Sequence, residues 1–345
     1  MALDAPAPAP NATTNASAAA MEPSEGEGDG PLTAAQIEEF VTEGYCLLEG
    51  AFPRDVAAGC RSALWRRLEE TNPIFEGDPS SWAAGAPKGR LGIAECYRGD
   101  ELGADWSACW SARLRRAVDQ LCGRGRWVDG PGPDGPGCGW WVVTFPGFSR
   151  GPWGGEGAWH VDGHGYDHRA DSPEIGCLPV FLFSDVARGG GGTAIAPRSH
   201  AAVAELLVRA GERGVNGPRL SSLARETVGA ERLAPPSIVE TRGRAGDVML
   251  THPFLLHARS KNLREAVRFM CHPAVRLRER MRAAPADPTP VERVVENARR
   301  DLAAAEPEGI RPLPCRGASD EADALRAAMG FAGFGGGRAA KRRRA

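Results

Sequence analysis

The run Trp159-His160-Val161-Asp162-Gly163 places a histidine and an aspartate two residues apart in a segment with the character of a strand. Side chains on a strand alternate between its two faces, so His160 and Asp162 are expected to share a face. An imidazole nitrogen and a carboxylate oxygen directed at one point provide two of the three ligands of a facial triad for non-haem Fe(II). The run therefore predicts an iron site that still needs a second histidine from a distant strand.

The missing histidine is available at the end of a long apolar run. The segment from Gly246 to His257 resembles a strand that ends in this histidine, and Arg268 follows on what we expect to be the next strand. If 2-oxoglutarate chelates the iron, its far carboxylate needs a cation deeper in the fold, and the arginine fork suits a bidentate grip on a carboxylate. A surface arginine paired with Glu265 is the ordinary alternative for Arg268.

Each ligand candidate also has an ordinary interpretation when it is taken alone. His160 fits a hydrogen-bonded core histidine, Asp162 fits a turn or cap residue, and His257 fits a strand-end residue. The three occur together, in two pieces far apart in sequence and both at predicted strand ends. This combination favours a metal site.

A glycine run is a second marker of the predicted pocket. Residues 189–192 are all glycine and lead through Thr193 to the Pro-x-Ser-His sequence at 197–200. Glycine lets the backbone turn tightly there. Because no Gly-Lys-Ser/Thr follows, a phosphate-binding loop is disfavoured.

Four polar residues complete the set of candidate cofactor-binding residues beside Arg268. Ser260 and Asn262 follow His257 and either hydrogen-bond the co-substrate or shape the turn, two roles that the sequence does not separate. Thr193 follows the glycine run, and Thr144 lies in the strand-like run that begins at Trp140.

The other histidines of this region have open or structural interpretations. His164 and His168 are spaced like a helical zinc pair, but Gly163 and Gly165 favour a loop. They either support the metal ligands, face the substrate or are plain surface residues. His252 lies five residues before His257 and faces the other way on a regular strand, which favours a structural role.

Composition limits the class of protein. The chain has 345 residues, a formal net charge of −2, and 44 glycines with 28 prolines, which favours a loop-rich β architecture and implies no polyanionic partner. Its nine cysteines include no Cys-x-x-Cys pair, which disfavours a zinc ribbon or thioredoxin-type site. The odd count without a secretory signal favours reduced thiols in an intracellular compartment. We expect a soluble cytoplasmic protein, a monomer or weak homodimer, that binds a small-molecule substrate and neither nucleic acid nor a membrane. The basic residues 341–344 leave a nuclear location as an alternative, and no Ser-Lys-Leu type signal supports a peroxisomal one.

The chain divides into three predicted parts. Residues 1–30 read as a disordered tail, 31–280 as the catalytic domain with 201–235 as a candidate lid, and 281–345 as a helical extension with a basic tail. The predicted helices are one capped by Thr33 with Gln36 and ended by Gly44, and others over 53–69, 106–121 and 291–305. The predicted strands are 45–48, 140–146, 160–161, 178–184, 192–196, 238–241, 247–251 and 266–275. Short strands with Gly/Pro punctuation indicate a sandwich or barrel, whereas 70–100 and 123–138 read as irregular.

At these residues the sequence resembles the phytanoyl-CoA dioxygenase family of Fe(II)/2-oxoglutarate oxygenases, from about Leu32 to about Arg276. The resemblance rests on the opening helix with its Gly-Tyr strand, on His160-Val161-Asp162, on the Gly-Gly-Thr…Pro-x-Ser-His run, and on His252-Pro253-x-Leu255-x-His257 leading to Asn262 and Arg268. It implies a mainly β protein with flanking helices, built on a double-stranded β-helix (a cupin-like jelly roll). It also implies His160, Asp162 and His257 as iron ligands and Arg268 as the 2-oxoglutarate arginine.

The sequence also departs from the family pattern. Val161 stands where relatives close to the human enzyme have glutamine, and Arg259 stands where they have serine, so an acyl-CoA substrate does not follow. Asp162 is kept, whereas related halogenases have a small residue there, which favours hydroxylation. We therefore expect an enzyme that uses Fe(II), 2-oxoglutarate and O2, with ascorbate as a further candidate cofactor. The alternatives are a catalytically silent family member that binds a ligand or partner, and a zinc hydrolase, which lacks an obvious general-base glutamate.

Overall fold

The computed structural model describes residues 30–71, 74–84, 93–98, 106–129 and 140–313. The predicted N-terminal tail, except residue 30, lies outside these ranges, and so do the basic C-terminal segment and most of the predicted connection over 123–138.

Antiparallel strands form the centre of the described fold. They are β1 (Tyr45–Leu48), β2 (Ile93–Arg98), β3 (Trp140–Thr144), β4 (Gly155–His160), β5 (Asp167–His168), β6 (Leu178–Leu182), β7 (Ala194–Ile195), β8 (Val215–Asn216), β9 (Val239–Glu240), β10 (Val248–Thr251), β11 (His257–Ser260) and β12 (Arg268–Cys271). One sheet has the order β1-β10-β6-β12-β3-β2, a second has β4-β11-β7-β9, and β5 pairs with β8. From β3 to β12 the chain passes back and forth between the two larger sheets, as in a double-stranded β-helix. The predicted fold class is confirmed.

The larger sheet is buried on both faces in its central strands. All residues of β6, β10 and β12 are buried, and apart from Thr251 and Arg268 these segments are apolar without alternation. One face contributes to a small apolar cluster that includes Leu182, Met249 and Met270 and is joined by Ile195 of the second sheet. The other face packs on the helices through a larger cluster that includes Phe181 and Phe269. The space between the two sheets is therefore a packed interior.

Helices pack against both of the larger sheets. They are α1 (Ala34–Glu43), α2 (Arg54–Thr71), α3 (Pro79–Ala84), α4 (Ala112–Cys122), α5 (Ser199–Ala210), α6 (Gly217–Val228) and α7 (Pro290–Ala305). The predicted capping box is present, since Thr33 Oγ1 accepts from Gln36 N and the Gln36 side chain accepts from Thr33 N. Gly44 ends α1 in the left-handed conformation, as predicted. None of the described helices is both long and apolar enough to cross a membrane.

Several predicted boundaries are wrong for local reasons. The single helix predicted over 106–121 is a 3-10 helix at Trp106–Cys109 followed by α4, because Ser111 caps α4 by accepting from Leu114 N. The region predicted as irregular over 70–100 contains α3 and β2, whose pairing with β3 is decided by the sheet edge rather than by its own pattern. The run over 246–257 is two strands, because the chain turns after His252 with Leu255 N donating to His252 O. His257 therefore begins β11.

Candidate metal centre

Strand pairing brings two of the predicted ligands together. His160 ends β4, His257 begins β11, and these residues are direct partners in the antiparallel register of the two strands. Side chains of directly opposed residues lie on the same face of a sheet. The two imidazole ring centroids are 4.4 Å apart.

Asp162 reaches the same point from a turn. The strand predicted to include Val161 ends at His160, so the alternation argument for Asp162 is wrong in its detail. The chain is held there because Val161 is buried and its N–H donates to Ser221 Oγ of α6 at 3.2 Å. Asp162 Oδ1 lies 3.4 Å from His160 Nε2 and 3.6 Å from His257 Nε2.

These three side chains form a potential metal-binding site. One ligand atom from each of His160, Asp162 and His257 lies within 4.8 Å of the others. Their side chains are between 14% and 19% exposed, so the site is enclosed and still in contact with solvent. Two imidazole nitrogens and one carboxylate oxygen are the donor set of a facial triad, and the same set without a sulfur ligand does not suit an iron–sulfur cluster.

Hydrogen bonding fixes the orientation of the His257 ring. Its Nδ1 lies 3.0 Å from Leu255 O, so Nδ1 carries the proton and donates it, and Nε2 presents its lone pair to the site. Burial lowers the pKa of His257, but the carboxylate of Asp162 outweighs burial and raises the pKa overall. Burial raises the pKa of Asp162, and His257, His160 and His272 together hold it well below the ordinary value. The carboxylate is therefore ionised at neutral pH.

Arg268 lies inside the larger sheet and not at the surface. It begins β12, is 3% exposed, and its Nε donates to Gly191 O at 2.7 Å. Glu265 is exposed, so the alternative of a surface pair between these residues is wrong. Arg268 is the direct partner of Thr144 in the register of β12 and β3.

Thr144 has a buried hydroxyl beside the arginine. It is 1% exposed, and within the described part of the chain its Oγ1 has no hydrogen-bond partner. Asn262 Nδ2 donates to the backbone carbonyls of Thr144, at 3.2 Å, and Ala266, at 2.8 Å. Asn262 thus shapes the turn before β12.

Ser260 and Thr193 make contacts inside the protein. Ser260 Oγ donates to Gly192 O and accepts from Trp153 Nε1 at 3.1 Å. Thr193 Oγ1 donates to Met270 Sδ at 3.3 Å. Both residues hold the glycine run and β12 in place, and their role as direct cofactor-binding residues stays a prediction.

The glycine run binds an internal carboxylate. Glu240 is buried and accepts from the N–H groups of Gly189, Gly191 and Gly192 at 2.6 to 3.1 Å. Burial raises the pKa of Glu240 even though these three donors favour its ionised form. Since Gly191 O accepts from Arg268, a continuous chain of hydrogen bonds runs from Glu240 to the arginine.

His272 is a third histidine at the site that the sequence interpretation missed. It follows β12, and its Nε2 lies 3.7 Å from Asp162 Oδ2. Burial lowers its pKa to about 4, so the ring is neutral at neutral pH. The available signal was its spacing of four from Arg268, which places both on one face of a strand.

Three of the remaining histidines, His164, His168 and His252, lie outside the group of three candidate ligands. His164 is exposed and its ring centroid lies 6.1 Å from that of His160. His168 is buried and its Nε2 lies 2.6 Å from Gly163 O, so it holds the turn after Asp162. His252 is buried away from the site and accepts from Phe254 N, in agreement with the structural role favoured for it.

No protein-family model and no curated protein matches the sequence. Solved structures with a similar fold include the non-heme alpha-ketoglutarate-dependent carbocyclase SnoK from nogalamycin biosynthesis, at 17% identity and a TM-score of 0.48 over 83% of this chain and 94% of that one. They also include EctD from S. alaskensis with 2-oxoglutarate and 5-hydroxyectoine, at 20% identity and a TM-score of 0.44 over 78% and 86% of the two chains. HygX from Streptomyces hygroscopicus with nickel and 2-oxoglutarate matches at 18% identity and a TM-score of 0.43 over 71% and 87%.

Proposed function

We propose that this chain is an Fe(II)- and 2-oxoglutarate-dependent dioxygenase that hydroxylates an unactivated C–H bond of a small or acyl-type molecule. In this reaction 2-oxoglutarate and O2 are consumed: one oxygen atom enters the succinate that forms with release of CO2, and the other enters the new hydroxyl group. The observation that carries the proposal is the convergence of His160, Asp162 and His257 within 4.8 Å in a jelly roll. The motif resemblance to the phytanoyl-CoA dioxygenase family supports the same activity.

The three converging residues would hold the metal. His257 offers Nε2 because Nδ1 donates to Leu255 O, and Asp162 offers an ionised oxygen that offsets one of the two metal charges. A facial triad leaves the remaining coordination positions for the co-substrate and dioxygen. Bound iron with 2-oxoglutarate supplies the oxidising chemistry, and the protein supplies orientation and exclusion of water.

Arg268 and Thr144 would hold the far carboxylate of 2-oxoglutarate. Arg268 is kept in one orientation by the bond from its Nε to Gly191 O. Thr144 lies directly across from it, and its buried hydroxyl is a donor that a carboxylate would satisfy. A guanidinium and a hydroxyl on neighbouring strands therefore fit a carboxylate by both charge and hydrogen bonding.

Retention of Asp162 supports hydroxylation as the outcome. A carboxylate at this position keeps the third protein ligand, whereas a small residue would leave that position open to halide. The substrate would bind on the solvent-facing side of the three ligand residues. Because the side chains of these residues are at most 19% exposed, the site is enclosed, which suits a small molecule.

Anaerobic titration of the apoprotein with Fe(II) and 2-oxoglutarate tests the proposal. We expect the visible charge-transfer band of an iron–ketoacid complex. His160→Ala should abolish the band, and Arg268→Ala should shift it to much higher 2-oxoglutarate concentrations. Arg54→Ala is the matched control, since Arg54 forms a largely exposed pair with Asp185 and should behave as wild type. A folded protein that gives no band would contradict the oxygenase and favour a binding protein.

A further inference from the structure

The two oxygens of Asp162 face different partners. Oδ1 lies between the Nε2 atoms of His160 and His257, at 3.4 and 3.6 Å. Oδ2 lies 3.7 Å from His272 Nε2. The carboxylate is therefore already oriented with one oxygen near His160 and His257 and the other near a third histidine.

A carboxylate that binds a metal through one oxygen leaves lone pairs on the other, and such oxygens are normally hydrogen-bonded by neighbouring groups. We propose that His272 is the positioning residue for Asp162: its Nε2–H donates to Oδ2 and thereby keeps the carboxylate monodentate through Oδ1. This inference rests on the proposed function, and it adds a residue that acts on the metal through a ligand.

The remainder of the His272 ring supports this assignment. Within the described part of the chain its Nδ1 is buried and has no hydrogen-bond partner, so the approach to Asp162 is the polar contact that the structure gives this ring. A separation of 3.7 Å between the two atoms is longer than a hydrogen bond. Rotating either side chain so that the atoms approach by a few tenths of an ångström brings them to hydrogen-bonding distance.

The position of His272 in the sheet also supports a positioning role. It directly follows β12, which lies between β6 and β3 inside the larger sheet and carries Arg268 at its other end. One rigid strand would thus fix both the co-substrate arginine and the orientation of Asp162. A bidentate Asp162 would occupy a position that the co-substrate or dioxygen needs, because a facial triad functions with open positions.

Two substitutions of nearly equal volume test the role of His272. His272→Leu fills the space but cannot donate, whereas His272→Gln keeps an amide N–H near the place of Nε2. The measurement is anaerobic titration of the apoprotein with Co(II), followed by its visible absorption, with the thermal unfolding of each apoprotein recorded alongside. We expect His272→Leu to weaken Co(II) binding by about 10- to 100-fold and to change the absorption spectrum. His272→Gln should lie closer to wild type than to His272→Leu.

The outcomes separate this inference from the proposed function. If wild type and His272→Leu bind Co(II) equally well with the same spectrum, His272 does not position Asp162, and the proposed function stands. If wild type binds neither Co(II) nor Fe(II), the proposed function fails and this inference fails with it. Should His272→Leu not fold, His272→Asn replaces it, because its shorter amide does not reach Oδ2, and equal Co(II) affinity of the Gln and Asn variants would overturn the proposal.

Discussion

The hydroxyl of Thr144 should destabilise the folded apoprotein and strengthen the binding of 2-oxoglutarate. This hydroxyl is buried in β3 with no hydrogen-bond partner among the described residues, directly across from Arg268. A buried donor without a partner costs about 1–3 kcal/mol. A ligand carboxylate is the partner that the proposed function supplies for this hydroxyl.

Thr144→Val removes the hydroxyl and keeps the β-branched shape. The free energy of unfolding of the apoprotein should stay the same or rise by about 1 kcal/mol, since an unsatisfied polar group disappears. The dissociation constant of 2-oxoglutarate should rise by about 10-fold, the value of one hydrogen bond to a charged group. Urea unfolding of the apoprotein and titration of the charge-transfer band measure the two quantities.

Thr251→Val is the matched control for this substitution. Thr251 is also buried in the larger sheet, on β10, but its Oγ1 donates to Leu178 O at 2.7 Å. We expect a loss of about 1 kcal/mol of stability and unchanged binding of 2-oxoglutarate. If Thr144→Val is instead the variant that loses stability and keeps its affinity, Thr144 has no role in binding the co-substrate.

At the same scale, spacing and residue type predicted the three ligand candidates and the arginine. The convergence of His160, Asp162 and His257 follows the prediction, although Asp162 lies on a turn. His272 was missed because its contact with Asp162 depends on the position of β12 in the sheet, which sequence spacing does not contain. The spacing of four from Arg268 predicts a shared face of the strand but does not identify the partner.

The glycine run is an element whose conformation is fixed by one buried side chain. Glu240, on β9, accepts from three backbone N–H groups of the run, and Gly192 has no room for a side chain because a Cβ there would meet Thr241 O. The run therefore has a defined shape, and the carbonyl of Gly191 is presented to Arg268. Its glycines satisfy a close backbone approach and do not form an empty anion site.

Glu240→Gln should damage both the stability of this element and the binding of 2-oxoglutarate. Both carboxylate oxygens accept hydrogen bonds, and the amide group would set N–H donors against N–H donors on one side. We expect a loss of about 1–3 kcal/mol in the free energy of unfolding. The dissociation constant of 2-oxoglutarate should rise, because Gly191 O would no longer hold the arginine in place.

The matched control for Glu240→Gln is Glu265→Gln, since Glu265 is exposed and close to the same arginine in sequence. Denaturant unfolding and 2-oxoglutarate titration of both variants test the two predicted effects of Glu240→Gln. If Glu240→Gln loses stability and keeps wild-type affinity, the hydrogen-bond chain to Arg268 has no effect on the co-substrate site.

Elements with strong local signals were predicted well and those defined by pairing were not. The strand at 45–48 and the helix α1 between Thr33 and Gly44 agree with the structure because cap, glycine and apolar pattern coincide. The strands β2, β5 and β8 were not predicted, since each is an edge or a two-residue pair stabilised by its partner. His257 was placed at the end of a strand because the turn after His252 is made by apolar residues that look like strand.

At the scale of the whole molecule, the helices meet the sheets around two buried histidines. His200 of α5 lies 3.0 Å through Nε2 from Val41 O of α1, and its ring centroid is 5.2 Å from that of His252. His252 Nδ1 accepts from Phe254 N, and its Nε2 lies 3.4 Å from Val291 O of α7. Three helices and the turn that leads to His257 are therefore joined through two neutral imidazoles.

This junction predicts that the apoprotein loses stability in mild acid. Burial lowers the pKa of His200 to about 4, with Val41 O and Glu43 acting in the opposite direction, and lowers that of His252 well below its ordinary value, with His200 adding to the effect. Between a pH of about 6.5 and the folded-state pKa, the unfolded chain binds a proton that the folded chain does not, so stability falls as pH falls. For His200 alone the loss between pH 7 and pH 5 is about 2 kcal/mol. The raised pKa of His257 opposes this trend, so the test compares variants and not absolute values.

Urea unfolding at pH 7, 6 and 5 measures the slope of stability against pH for wild type and His200→Gln. The glutamine amide can still donate to Val41 O but does not titrate. Between pH 7 and pH 5 the variant should therefore lose about 2 kcal/mol less unfolding free energy than wild type, whatever its stability at pH 7. If His200→Gln and wild type lose stability in parallel, the imidazole of His200 is protonated in the folded protein and the junction is not the acid-sensitive point. A smaller loss confined to His200→Gln would locate that point where α1 and α5 meet, outside the metal centre.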